Sequence, residues 1–285
     1  MRLGDGADAP QCNDIMAVTA PPHSILRARQ AFSLMELLVV MAIIGIVTAI
    51  AVPAYQTIHT AGSLTNAANG VAGTLERARA YAMANNVYVY VGFAEVNADV
   101  AAAAVPQEVA TASKGGRLAI ATVAARDGTR GYALLSSLPD PAWSDYHSGS
   151  GLVALGTLEV FENIHLAASL GMPPSEGSMA RPTVSSSYRL GEVACKSVTP
   201  FAWPLGAPLE PAQGQYHFQK VIQFDPQGTA RIQYSTNQDN IVRWMEIALQ
   251  QTHGSRVPAV PEEGTGAVAA ILIDGMTGAV RIYRP

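Results

Sequence analysis

The spacing of apolar and polar positions changes twice along this chain. From Phe32 to Ala54 the sequence FSLMELLVVMAIIGIVTAIAVPA is apolar or small almost throughout, interrupted by one charge, Glu36. About 20 such residues at 1.5 Å each match a hydrocarbon core of roughly 30 Å, so the stretch is expected to cross a membrane as a helix. After Pro53 the apolar positions thin out to helical spacing at Ala54, Ile58, Ala61, Leu64, Ala68, Val71, Leu75, Ala78 and Ala82. Thr, Asn, Glu and Arg fill the gaps, leaving one apolar stripe on one face. The expected helix therefore continues to about Ala84, where Asn85-Asn86 supplies a stop. Pro53 removes a backbone donor and is expected to kink it.

Beyond Val87 the period becomes 2 and the segments become short, β-branched and aromatic. Strands are expected at Val87 to Phe93, Arg117 to Ala125, Tyr132 to Ser136 and Leu158 to Phe161. One continuous strand is expected from Tyr216 to Phe224, with Tyr216, Phe218, Ile222 and Phe224 on one face and His217, Gln219 and Gln223 on the other. Asp225-Pro226-Gln227-Gly228 then turns the chain into a strand with Ala230, Ile232 and Tyr234 inward and Arg231 and Gln233 outward. Arg243 to Leu249 is a further strand. Ala267 to Ile273 is apolar on both faces, as a central strand would be, and Asp274 to Gly278 turns it into Val280 to Arg284. An Ala-rich loop (97–116), a Gly/Ser loop near Ser148 and a Pro-rich region (171–213) that holds seven of the 18 prolines separate these segments. The last reads as an insertion draped over the sheet.

Composition sharpens this picture. Apolar residues make up 49% and charged residues only 14% of the chain, below the roughly 25% of soluble domains, consistent with a part held out of water. Arg27 and Arg29 precede the apolar run and no Lys or Arg follows until Arg77. The positive-inside rule leaves the amino terminus in the cytoplasm and sends the rest across. A net charge of -4 without like-charge blocks argues against nucleic acid as a partner. The late basic residues Arg231, Arg243, Arg256, Arg281 and Arg284 would make a patch only if the strands brought them to one face.

Cys12 and Cys195 lie on opposite sides of the apolar run, which excludes a disulfide framework and makes Cys195 a buried apolar residue. The six histidines lack metal-ligand spacing and read as solvated surface. Gly149-Ser150-Gly151 lacks the spacing of a nucleophile elbow, and Asp225 reads as a turn residue. No cofactor, metal site or catalytic constellation is expected, and so no enzyme. A secretory signal cut after Ala51 would leave a soluble exported protein. Against that stand a hydrophobic region longer than the usual 7 to 15 residues, the acid within it, and the amphipathic helix that follows without a break.

Glu36 is the informative position, because a carboxylate in a spanning helix costs about 2.5 to 3.5 kcal/mol on insertion scales. A free α-amine four residues earlier, made by a cut before Phe32, would be a suitable cation for it on the same or a neighbouring chain. Ala31-Phe32-Ser33-Leu34-Met35-Glu36-Leu37-Leu38-Val39-Val40 resembles the prepilin leader junction of type IV pilins and type II secretion pseudopilins. The resemblance implies cleavage between Ala31 and Phe32 by a prepilin peptidase, N-methylation of Phe32, and assembly through Glu36, Leu37 and Pro53. Ala31 stands where the family usually has Gly, which implies slower processing. Translation from Met1 or from Met16 would give leaders of different length.

More weakly, Phe224-Asp225-Pro226-Gln227-Gly228-Thr229 and Ile273 to Ile282 resemble late hairpins of minor pseudopilins and minor pilins. The fold expected is α+β: a long amino-terminal transmembrane-plus-amphipathic helix packed on an antiparallel sheet near the carboxyl terminus. Its parts are a leader (1–31), an assembly helix (32–54), an amphipathic continuation (55–86) and an extracytoplasmic β-rich body (87–285). The implied protein is a minor subunit, single-pass in the bacterial inner membrane, with inner-membrane lipid and other pilin or pseudopilin subunits as partners. The alternative is a membrane-tethered binding module for a secreted substrate or DNA.

Overall fold

The computed structural model describes residues 34–100, 115–128, 151–170, 180–193, 195–197, 200–206, 215–232, 241–257 and 268–284, and within 49–61 the backbone course alone. The chain divides into two compact units, residues 1–50 and 51–285. Helix α1 (Leu34–Asn85) runs through the end of the first and the start of the second. The helix stops where the sequence places the stop. Asn86 takes a left-handed φ of 55°, and the Val87 N–H donates to the Ala82 carbonyl at 3.1 Å. An αL residue just past the end with this long return bond satisfies a terminal carbonyl that has no intrahelical donor.

In the second unit the helical stripe is the spine of the core. Leu64, Ala68, Val71, Leu75, Ala78 and Ala82 are all buried in one cluster. Ala54, Ile58 and Ala61 of the expected stripe, like the side chain of Pro53, lie outside the described residues.

The stripe packs against two antiparallel sheets, not against one near the carboxyl terminus. The first is built from β1 (Val89–Asn97), β2 (Gly116–Ala125), β3 (Leu152–Ala154), β4 (Glu159–Glu162), β8 (Lys220–Phe224) and β9 (Ala230–Ile232), in the order β3-β2-β1-β8-β9 with β4 also pairing β2. The second is β12-β11-β10-β5, from Val280–Tyr283, Val268–Asp274, Trp244–Gln251 and Ile164–Ala167. Val89, Val91 and Phe93 of β1, Ile222 and Phe224 of β8, Ile247 and Leu249 of β10, and Ile271 and Ile273 of β11 all meet the helix in the same cluster. β11 lies between β10 and β12 and is apolar on both faces, Val268, Ala270 and Leu272 lining an outer layer. Gly70 lets the helix approach β4, since a Cβ there would stand 2.6 Å from the Phe161 ring.

The expected single strand from Tyr216 to Phe224 is two. β7 (Tyr216–Phe218) pairs with β6 (Phe201–Trp203) in a small hairpin, whereas β8 pairs with β1 and β9. Gln219 separates them, and the alternation slips there by one residue. Tyr216 and Phe218 join Val221 on the outer face, while Ile222 and Phe224 point to the helix. Gln223, expected on a polar face, is buried. A one-residue slip moves every following side chain to the other face of a sheet.

The turn expected at Asp225 forms. Asp225 Oδ1 accepts from the Gln227 and Thr229 N–H groups, both at 2.9 Å. Asp274 does the same for Met276 N–H at 3.0 Å. At Gly278 φ is +67° and a Cβ would collide with the Gly228 carbonyl, so the two turns touch at a point that only glycine fits. The described part of the Pro-rich region enters the core. It supplies Val184 to one outer layer, Leu190 and Cys195 to the centre, and Phe201 to the other outer layer. The strand expected at Tyr132 to Ser136 lies outside the described residues.

Candidate assembly site

Residues 34–48 form a helical rod of a different character. Its large apolar side chains, from Leu34 to Val47, are between 46% and 83% exposed. Successive helical residues point about 100° apart, so a run in which Leu37, Leu38, Val39, Val40 and Met41 are all exposed leaves no side of the rod polar. The Thr48 hydroxyl folds back on the helix and donates to the Ile44 carbonyl at 2.8 Å. That bond lets a hydroxyl sit in apolar surroundings. Glu36 is exposed in the first turn of α1, where a negative charge is favoured by the helix dipole. Leu37 is exposed beside it. Ala31 and Phe32 lie outside the described residues. Among the described residues no helix is long and apolar enough to cross a membrane; the described side chains of the rod end at Thr48.

In the second unit a polar cluster joins the two sheets. Glu95 on β1 is buried, and its carboxylate accepts the Gly116 N–H of β2 at 3.1 Å, the Leu166 N–H of β5 at 2.9 Å and His165 Nδ1 at 2.7 Å. His165, expected as solvated surface, is therefore a half-buried partner of Glu95. Lys220 Nζ donates to the Leu190 and Glu192 carbonyls at 2.6 and 2.8 Å, fastening the Pro-rich segment to β8. Burial lowers the pKa of this lysine. Cys195 is buried as expected, and burial pushes its thiol up to about 11, with Lys220 opposing and Glu192 adding to the rise. A thiol so raised is a poor nucleophile at neutral pH. Strand alternation does place Glu95 on the inner face with Val91 and Phe93. A charged residue in phase with core residues was the available signal.

Four of the late arginines have partners of their own, two of them sharing one ring. Arg231 stands 3.6 Å from Asp225, and Arg284 donates to Thr65 and Asn69 of the helix. Arg243 and Arg281 both lie over the Trp244 ring, at 5.7 and 5.9 Å from its centre. Among the described residues no group of three or more His, Cys, Asp or Glu is placed to hold a metal ion.

The helix is thus apolar on every side between Leu34 and Val47 and serves between Leu64 and Ala82 as the spine of an antiparallel β body. Residues 26–52 match the family described as the prokaryotic N-terminal methylation motif, so the chain carries the prepilin-type signature of pilin-like proteins. No curated protein and no solved structure matches the chain.

Proposed function

We propose that this chain is a minor pilin or pseudopilin subunit. In this reading a prepilin peptidase cuts it between Ala31 and Phe32 and methylates the new amino terminus of Phe32. The subunit waits as a single-pass protein of the bacterial inner membrane and then enters a type IV pilus or type II secretion pseudopilus through its first helix, with Leu37 and Pro53 in the packed segment. The observation that carries the reading is the match of residues 26–52 to the methylation motif. Its physical support is the rod, whose sides are all apolar. Each large side chain there gains about 1.5 to 3 kcal/mol on full burial, and both lipid and a bundle of neighbouring helices supply that burial.

Glu36 sets the axial register. Entering a bundle desolvates its carboxylate, and the amine of Phe32 on an adjacent subunit offsets that cost only at one axial offset. Glu36→Ala is expected to leave membrane insertion intact and to reduce incorporation into filaments at least about tenfold, read by immunoblot of sheared filaments against the membrane fraction. Normal incorporation would remove the register role while leaving the processing reading standing. Processing itself is read by mass spectrometry of the purified chain, which is expected to begin at methylated Phe32. A chain beginning at Val52, or one that keeps its initiating methionine in cells with an active peptidase, would overturn the whole assignment.

A further inference from the structure

Between the outer flank of the helix and the edge of the first sheet lies an open cavity of about 490 Å³. That size falls in the range of small-ligand sites. The helix contributes Thr74, Arg77 and Tyr81, β2 contributes Ile120 and Thr122, and the link between β3 and β4 contributes Leu155 and Thr157. The link bulges because β3 pairs with Val123 to Ala125 while β4 pairs with Arg117 to Ile120, leaving two residues of β2 spanned by a loop. The assembly reading uses none of these groups.

The chemistry of the cavity is specific about charge. Arg77 Nη2 donates to Glu159 Oε1 at 2.5 Å and to the Thr74 hydroxyl at 2.8 Å, and that hydroxyl donates to Glu159 Oε2 at 2.9 Å. The carboxylate is therefore fixed from two sides, and the one cation and one anion of the wall cancel. An anionic ligand would meet Glu159 and a cationic one Arg77, so a neutral ligand is favoured on both counts. The remaining polar groups of the wall include the hydroxyls of Thr122, Thr157 and Tyr81, which both donate and accept. Beside them the partly exposed Leu155 offers apolar contact over the buried Ile120, and Tyr81, 39% exposed, offers an aromatic ring at the mouth.

We propose that this cavity binds a neutral glycan bearing N-acetyl groups. The acetamido methyl lies against Leu155, its amide and the ring hydroxyls bond to the threonines, and the apolar face of a sugar ring stacks on Tyr81. Neutrality, paired donors and acceptors, and alternating apolar and polar faces are together the properties of such a sugar.

The test is calorimetric titration of the full chain, in a zwitterionic detergent free of sugar, with chitotriose and with cellotriose, which lacks the acetamido groups. Chitotriose is expected to bind saturably, and cellotriose at least about tenfold more weakly, the discrimination an apolar pocket gives for a missing group of this size. Tyr81→Ala and Thr157→Trp alter exposed side chains at the mouth, so both variants should keep the thermal transition of the parent. The first should weaken chitotriose binding about tenfold and the second should abolish it. The proposal fails if chitotriose gives no saturable heat, if cellotriose binds equally well, if both variants bind as the parent does, or if peptides titrate while sugars do not. None of these outcomes touches the amino-terminal processing that tests the assembly reading.

Discussion

Two stretches of the same helix behave in opposite ways. Between Leu64 and Ala82 the apolar side chains are buried against two sheets. Between Leu34 and Val47 they are exposed on every side. Helix propensity does not distinguish them, since both are rich in good helix formers. What differs is the supply of partners. The upper stripe finds Val91, Phe93, Phe224, Ile247 and Ile271 within its own chain, whereas the rod is left uncovered by the other described residues. In the proposed reading lipid and other subunits cover it, and the rod is the interaction surface of an otherwise self-contained body. Rather than being spread over the surface, apolar exposure is concentrated in one segment, as a functional patch would be.

The comparison breaks most visibly at Leu75, which is fully buried at the middle of the spine. Leu75→Ala is expected to destabilise the body by about 2 to 5 kcal/mol, combining lost transfer energy with a residual cavity. Urea unfolding of the full chain in detergent, followed by tryptophan fluorescence, measures it. A loss under about 1 kcal/mol would mean that the helix is not the spine of the core.

The next effect tests the polar side of the same core. The Cys195 thiol titrates near its ordinary 9.0 when unfolded and at about 11 when folded. A raised folded value means that the native state keeps its proton longer. The stability it contributes is complete below about pH 9 and is lost as pH rises through about 11. That difference corresponds to roughly 3 kcal/mol over the whole range. Lys220 works the other way, since burial lowers its value and raising the pH toward its ordinary 10.5 relieves that cost. Cys195 opposes that lowering, so removing the thiol deepens it and widens the difference between the two pH profiles. Wild type should therefore lose about 2 kcal/mol more than Cys195→Ala between pH 9 and 11, measured by urea midpoints at each pH. Parallel pH profiles would mean that the thiol is not buried beside Lys220.

Much of this division was legible in the residues. The helical stripe, its stop at Asn85-Asn86, the Asp225 turn and the two-faced central strand all follow from period and turn chemistry, which are local. What was missed is non-local. Tyr216 to Phe224 alternates by residue type except at Lys220 and Val221, which stand out of phase beside the point where it divides, and its halves pair with different strands, Tyr216 with Trp203 and Phe224 with Val89 and Ala230. The second sheet escaped notice because β5, only Ile164–Ala167, is too short for a period to show. Glu95 and His165 lie 70 residues apart and meet only because β1 and β5 belong to sheets that pack together. For the candidate assembly site, the sequence marked Ala31, Phe32, Glu36, Leu37 and Pro53 by resemblance. The match of residues 26–52 to the methylation motif spans the first four of these positions and ends before Pro53. The cavity beside Arg77 had no sequence signal, being formed by a bulge between two short strands.

The smallest stability effect is the sharpest test of the contrast, because it repeats the first substitution at the other end of the same helix. Leu38 is 58% exposed, so Leu38→Ala removes no packed contact and leaves no cavity. Alanine is also at least as good a helix former as leucine. The urea midpoint of the body is expected to move by less than about 0.5 kcal/mol, the range of ordinary surface changes. In an assembling system the same change removes apolar contact from every copy of a packed bundle, so filament yield should fall although the isolated subunit is unaltered. A large loss of body stability would show that the rod packs on its own chain after all. Unchanged yield together with unchanged stability would deprive the rod's apolar surface at Leu38 of a role in assembly.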